Sequence, residues 1–250
     1  CYAVVAYQTA YLKYYYPVEF MAALMTSVMD KITKVSEYIQ TCRSMGIAIL
    51  TPDINEGEGG FSVSGGNIRY GLSAIKSVGD PVIEALLRER GTNGPFQNLE
   101  DFITRLSGKD LNKRAVENLI KAGAMDGLYG NRRQKMLVYQ QIMDGIAHEK
   151  KNSMSGQMTL FDIACEEDKK DYAVKMPQVE EFDKERLLSY EKEVLGVYIS
   201  GHPLEEYEEK WKKNITAKTS DFLLDDETGQ TIVHDQERVT VGGMLVARTI

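Results

Sequence analysis

The pattern that most restricts how this 250-residue chain can fold is a helix, a tight glycine turn and a second helix, written twice. In the first copy, Leu72–Lys76 reads as helical, Ser77-Val78-Gly79 as the turn, and Asp80-Pro81 as the start of a helix to about Arg90. Asp80 suits an N-cap, because its carboxylate accepts from the free amides of a first turn. Pro81 suits the first helical position, where its missing N–H has no partner to lose. In the second copy the spacing predicts a helix over Asn112–Lys121, a turn at Ala122-Gly123-Ala124, and a helix from Asn131 onward. A connecting helix is predicted at Leu99–Leu106. Two copies within about 70 residues form a short internal repeat.

The flanks are read from the same local rules. Residues 3–16, rich in Tyr and Ala, read as a helix ending before Pro17, and Pro17 opens a second helix to about Val28. A third helix spans about Ile32–Met45 and stops at Gly46. Ile47–Leu50 reads as a short strand. Phe61-Ser62-Val63 and Asn67-Ile68-Arg69-Tyr70 flank Gly65-Gly66 as a hairpin. Residues 147–180 are polar and charged and read as a mobile loop, interrupted by one apolar island at Met158–Phe161. Residues 182–200 return to helical spacing and are expected to stop at Gly201-His202-Pro203. Val239–Val246 alternates like a strand. The fold class expected is mainly α with short β hairpins.

Charge and cysteine content narrow the function. A net charge of −7 counts against nucleic acid when averaged over the chain. It is unevenly spread, however. Ser64 to Met136 holds 12 Lys and Arg against 8 Asp and Glu, while Asp162 to Glu209 holds 6 against 15. The 3 cysteines, Cys1, Cys42 and Cys165, lie far apart, which argues against a disulfide framework or a zinc site and fits a reducing cytoplasm. No apolar run approaches the ~20 residues of a membrane span, and no signal segment opens the chain. The chain starts at Cys1, inside what reads as an element, and ends in what reads as a strand without its partner, so a fragment of a longer protein is expected. No phosphate-cradling loop, dinucleotide fingerprint, metal-ligand spacing or paired-carboxylate motif is present, so no catalytic, metal or cofactor residue is expected in this chain. Asp221, Asp225, Asp226 and Glu227 read as a solvated turn; an enzyme using Asp221, Asp225 and Asp226 with Mg²⁺ is the alternative, which a metal-dependent activity lost in Asp225→Asn would support.

Two segments carry candidate binding chemistry. A glycine turn beside a helix N-terminus exposes successive amides where the helix dipole is positive, which suits a phosphate oxygen. Lys76 and Lys121 each precede a turn and add charge, and Arg132 and Arg133 open the helix after the second. Such contacts hold the nucleic-acid backbone, independent of base sequence and sensitive to salt. The same segments also read as ordinary packing units capped by glycine. The second candidate is Gln157-Met158-Thr159-Leu160-Phe161-Asp162. Either its Leu-Phe pair anchors the loop to its own domain, or the segment is an extended peptide presenting an apolar plug to a partner's pocket. His202 has no Cys or Asp at catalytic spacing and reads as part of a helix stop.

Taken together, the segments resemble the alpha subunit of bacterial DNA polymerase III. The similarity runs in order through Tyr2–Lys13, Tyr16–Ala23, Pro52-Asp53-Ile54-Asn55, Tyr70–Lys76, Leu111-Asn112-Lys113-Arg114, Leu119–Ala124 and Glu191–Pro203. The resemblance implies four regions: the C-terminal part of the fingers (1–63), a tandem helix-hairpin-helix region (64–146), a clamp-binding loop and following helix (147–210), and a linker with the first strand of an oligonucleotide-binding (OB) barrel (211–250). It implies that duplex DNA is held by Lys76, Ser77, Val78, Gly79, Lys113, Arg114, Lys121, Ala122, Gly123, Arg132 and Arg133. It also implies that Gln157, Met158, Thr159, Leu160, Phe161 and Asp162 dock on the sliding clamp. The second hairpin departs from a Gly-x-Gly form, with Ala122 and Ala124 flanking Gly123. Other replisome subunits are expected partners through the longer chain, in the cytoplasm. The family's catalytic carboxylates and their Mg²⁺ belong to a palm that would precede Cys1, so this chain is expected to be inactive alone. The alternative is a free-standing helix-hairpin-helix adaptor.

Overall fold

The computed structural model describes residues 2–108, 110–154, 175–224 and 230–244. The chain divides into two compact units, residues 1–200 and residues 201–250.

The first unit opens with α1 (Tyr2–Tyr15), none of whose residues is buried. Its Tyr7, Tyr11 and Tyr15 rings lie one turn apart, with centroids 6.3 and 4.5 Å apart. Pro17 then starts α2 (Pro17–Ser27), which buries Met21, Ala22 and Met25. In α3 (Ile32–Ser44) the buried residues are Val35, Ile39 and Cys42, the spacing of one helical face. The chain next forms a sheet of order β1-β3-β2, from β1 (Ile49–Leu50), β2 (Ser62–Ser64) and β3 (Asn67–Arg69). β1 runs parallel to β3 with Ile49 opposite Ile68, and β2 runs antiparallel to it with Val63 opposite Ile68. Gly65 and Gly66 form the two-residue loop with φ of +57° and +78°, the left-handed pair that a primed hairpin turn requires. Phe61 and Tyr70 leave this hairpin and meet edge to face at 4.8 Å in the core.

Helices make up the rest of the unit. After a single 3₁₀ turn (Leu72–Ala74) come α4 (Asp80–Asn93), α5 (Leu99–Leu106), α6 (Lys113–Lys121), α7 (Arg132–Met154) and α8 (Lys184–Leu195). Four of these starts are capped by short polar side chains, that of α7 by Asn131, which accepts from the Gln134 amide at 2.8 Å. Asn98 accepts from the Asp101 amide at 2.9 Å, Asn112 from Ala115 at 2.9 Å, and Asp183 from Arg186 at 2.7 Å. The apolar faces close one core: Leu99, Phe102, Ile103 and Leu106 from α5, Val116, Leu119 and Ile120 from α6, and Val138, Tyr139 and Ile142 from α7. Each such side chain, fully buried, is worth about 1.5–3 kcal/mol. The Tyr70 hydroxyl crosses this core to donate to the Leu195 carbonyl at 3.0 Å, and burial holds its phenol well above the usual range.

Four local expectations change. The stretch Leu72–Lys76 is not a helix: only the 3₁₀ turn forms, and the Lys76 amide leaves the local pattern to bond the Val194 carbonyl at 3.0 Å. Gly79 occupies the N-cap of α4, so Asp80 is already helical and makes no capping bond. α7 continues to Met154, making helical the first residues of the expected loop, while residues 175–180 are irregular and bond to its start. There Gln134 donates to the Pro177 carbonyl at 2.7 Å and Asn131 to Val179 at 2.9 Å. Finally, α8 ends at a left-handed Gly196, ahead of the Gly201-His202-Pro203 stop.

In the second unit, a 3₁₀ turn (Glu205–Tyr207), α9 (Glu208–Asn214) and a further 3₁₀ turn (Thr219–Phe222) precede irregular chain. His202 serves local structure, its Nδ1 accepting from the Leu204 amide at 3.1 Å. The strand expected at Val239–Val246 is not formed over residues 239–244, where the Thr240 carbonyl accepts only from the Thr216 and Ala217 amides at 3.0 and 3.4 Å. Residues 245–250 lie outside the described residues. No described helix is long and apolar enough to cross a membrane.

Candidate nucleic-acid interface

The first turn faces solvent. Ser77 adopts φ +60°, which rotates successive peptide planes outward. The Val78 amide closes on Ile75 at 3.3 Å, and the Gly79 carbonyl accepts from Val82 at 3.0 Å and Ile83 at 3.3 Å. Among the described residues, the amides of Ser77, Gly79 and Asp80 take no protein acceptor. All three residues are exposed, while Val78 is buried beneath them and pins the turn. Unpaired amides at the head of a 14-residue helix offer an anion both donors and a positive dipole. The Asp80 carboxylate, in the same first turn, works against this.

The second turn is built differently. Gly123 donates to the Ile120 carbonyl at 3.0 Å and Ala124 to Leu119 at 3.0 Å. This is the doubly bonded helix end that closes on a left-handed residue, here Gly123 at φ +78°. Ala122, Gly123 and Ala124 are buried, so their amides are spent on ending α6 and do not reach solvent. Glycine is required for a second reason: a Cβ there would run into the Arg132 guanidinium. Arg132 is itself 6% exposed. It clasps Asp126 through Nε and Nη2 at 2.9 and 2.6 Å and donates to the Lys121 carbonyl at 3.2 Å. Its neighbour Arg133 is exposed, with its guanidinium over the Phe182 ring. Glu181 accepts from the amides of both arginines, at 2.8 and 3.0 Å, and so caps α7 from 49 and 48 residues away.

Beside the first turn lies a recess of about 460 Å³, lined by Lys76, Ser77, Lys113, Arg114 and Lys121 together with Glu117, Asn118, Tyr139, Gln140, Glu193 and Val194. The fold thus gathers five of the expected DNA-contacting residues in one place. Their charges are not equally available. Arg114 is exposed and has no carboxylate partner among the described residues. Lys76 gives its ammonium to the Glu193 main-chain carbonyl at 3.0 Å. Lys113 pairs with Asp144 at 2.7 Å. Lys121 is held by Glu193 at 2.8 Å and Glu117 at 3.0 Å. Burial works to lower the Lys121 pKa, but the bonds to Glu193 and Glu117 outweigh it and the ammonium is held above its ordinary value. The Asn118 amide donates to the Lys76 carbonyl at 2.6 Å, locking α6 to the first turn.

Other residues of this site carry no motif that marks them in the sequence. Glu191 is fully buried, and one oxygen accepts from the Ile199 and Ser200 amides at 3.0 and 3.1 Å. Its other oxygen lies 3.9 Å from the Arg132 guanidinium without a hydrogen bond. Lys135, also fully buried, donates to the Leu128 and Gly130 carbonyls. A charged residue spaced on the inner face of a helix was the one available signal for both. Gln157 to Asp162, and Asp225 to Glu227, lie outside the described residues.

The family model for the helix-hairpin-helix motif matches residues 46–135, which take in both turns and, of the residues that line the recess, those from Lys76 to Lys121. The DNA polymerase III subunit alpha of Vibrio cholerae is 38% identical over 250 residues, 100% of this chain and 21% of the relative. That of Saccharopolyspora erythraea is 36% identical over 248 residues, 98% of this chain and 20% of the relative. That of Thermus aquaticus is 41% identical over 206 residues, 82% of this chain and 16% of the relative. The chain therefore spans 16–21% of the length of these relatives. Similarity that runs from one end of the chain to the other, with the helix-hairpin-helix region in its middle, establishes that this chain belongs to the DNA polymerase III alpha-subunit family.

Proposed function

We propose that this chain is the part of a replicative DNA polymerase that grips the duplex backbone and tethers the enzyme to its sliding clamp. The observation that supports the grip is the exposed first turn, which carries the free amides of Ser77, Gly79 and Asp80 and whose Ser77 lines one recess with Lys76, Lys113 and Arg114. Donors of this kind address phosphates and not base edges. The second turn contributes differently from the first: Ala122, Gly123 and Arg132 are buried and close the end of α6, so they offer no donors to a phosphate. Lys113 and Arg114, on the first turn of α6, supply the mobile charge. The test is duplex binding followed by fluorescence anisotropy across a salt series. Lys113→Ala/Arg114→Ala should weaken binding about tenfold and lower the slope of log K against log salt by nearly two, at about 0.9 per lost phosphate contact. An unchanged slope would remove these residues from the interface.

The clamp contact is assigned to Gln157-Met158-Thr159-Leu160-Phe161-Asp162, on the form and position of the segment in the family resemblance. Leu160 and Phe161 are the apolar anchors, and a lone peptide of this size binds with a dissociation constant of roughly 1 μM, about −8 kcal/mol. Joined to a weak DNA grip on the same track, it gives retention far above either contact, because the second binding event is intramolecular. Leu160→Ala/Phe161→Ala should abolish binding to a purified bacterial clamp, and binding that survives the double variant would refute the assignment. Nucleotide transfer and its Mg²⁺ chemistry are placed in the longer polypeptide, in the cytoplasm with the other replisome subunits. This chain alone should incorporate no nucleotide.

A further inference from the structure

We infer that Glu193 is a built-in counter-ion of the recess, competing with nucleic-acid phosphate for Lys121 and so setting how tightly and how salt-dependently this chain binds duplex DNA. The inference rests on the reading of the recess as a DNA grip.

An ammonium has three N–H donors. On Lys121, Glu193 takes one at 2.8 Å and Glu117 another at 3.0 Å, while the Tyr190 ring lies on a further side with its centroid 5.4 Å away. One donor remains, on an ammonium whose charge is already met by two carboxylates, so a phosphate gains the full charge of Lys121 only when a carboxylate lets go. Glu193 is the one placed to do so. Its side chain is 54% exposed, against 33% for Glu117 and 12% for Lys121. Glu193 also comes from α8, 72 residues away in sequence, whereas Glu117 sits one turn back on the same helix. Its main-chain carbonyl separately holds the Lys76 ammonium at 3.0 Å, so its backbone is fixed and only the carboxylate is free to swing. While it is in place, a phosphate entering between Lys76 and Lys121 meets a like charge at the same spot.

An ion pair whose carboxylate is more than half exposed can be displaced from that side, so the device tempers binding and does not block it. Glu193→Gln keeps the shape and the carbonyl that holds Lys76, and removes only the charge. It should tighten binding of a short duplex about three- to fivefold at low salt and steepen the log–log salt slope by about 0.9, one phosphate contact. In the Glu193→Gln/Lys121→Gln chain both gains should vanish, returning affinity and slope to those of Lys121→Gln alone. An affinity that is unchanged or weaker in Glu193→Gln overturns the inference. So does a gain of equal size in the Lys121→Gln background, which would reflect net charge alone. If wild type and Glu193→Gln both fail to bind duplex, the DNA grip falls with it. If wild type binds and is weakened by Lys113→Ala/Arg114→Ala yet ignores Glu193→Gln, the grip stands and only the counter-ion role is lost.

Discussion

Glu191 carries a fully buried charge beside Arg132, the arginine that closes on the second turn. A carboxylate with no exposed surface survives only where its charge is met by donors. Here the Ile199 and Ser200 amides meet one oxygen, and the Arg132 guanidinium stands 3.9 Å from the other. Arg132 in turn clasps Asp126 across the second turn. Replacing Glu191 with Ala strands the buried Ile199 amide, takes the acceptor from the Ser200 amide and removes a charge that faces Arg132. We expect Glu191→Ala to lose about 2–4 kcal/mol of stability in urea titration, and Glu191→Gln, which keeps an oxygen acceptor, to lose less. A loss below about 0.5 kcal/mol for the alanine variant would mean that water takes over the role.

Among the elements, α6 shows how a local signal and a distant one divide the work. Its start is local: Asn112 accepts from the Ala115 amide at 2.9 Å, three residues on. Asn112→Ala should cost about 1 kcal/mol, read as a lower urea midpoint at unchanged slope. A change in the slope instead would point to a loosened native state and not to a lost cap. Its end is local too, because Gly123 and Ala124 bond back to Ile120 and Leu119. The capping and spacing rules therefore find α5, α6 and the Gly65-Gly66 hairpin from sequence within a residue. They fail at Leu72–Lys76, because the Lys76 amide is claimed by Val194, more than a hundred residues away. They fail again at the end of α8, where Gly196 turns left-handed before the His202-Pro203 signal is reached.

At the scale of the whole molecule, a chain of net charge −7 is expected to hold DNA through a small basic mouth. Exposed amides and a few side-chain cations carry no base readout. Two unrelated duplexes of equal length should therefore bind within about a factor of two of each other and lose affinity in parallel as salt rises. A strong preference between them would call for contacts beyond those seen in the recess. The acid concentrated between residues 162 and 209 is not merely a solvated block, since Glu181, Glu191 and Glu193 fold back onto the hairpin region as cap, buried counter-charge and ion-pair partner.

The sequence by itself determined the helical class, the two turns, the extents of α5 and α6 and the candidate cations, and through its order of blocks it pointed to the family. Each of these depends on residues within about one helical turn of one another, or on a pattern read along the chain. Only the tertiary structure decided which turn offers its amides to solvent and which buries them, and which cations are already neutralised. Those outcomes depend on partners 48 to 117 residues away: Glu181 on Arg133, Glu193 on Lys121, and the Glu193 carbonyl on Lys76. A charge has no range of pairing written in its own neighbourhood; whether it is free or spent follows from what the fold brings against it.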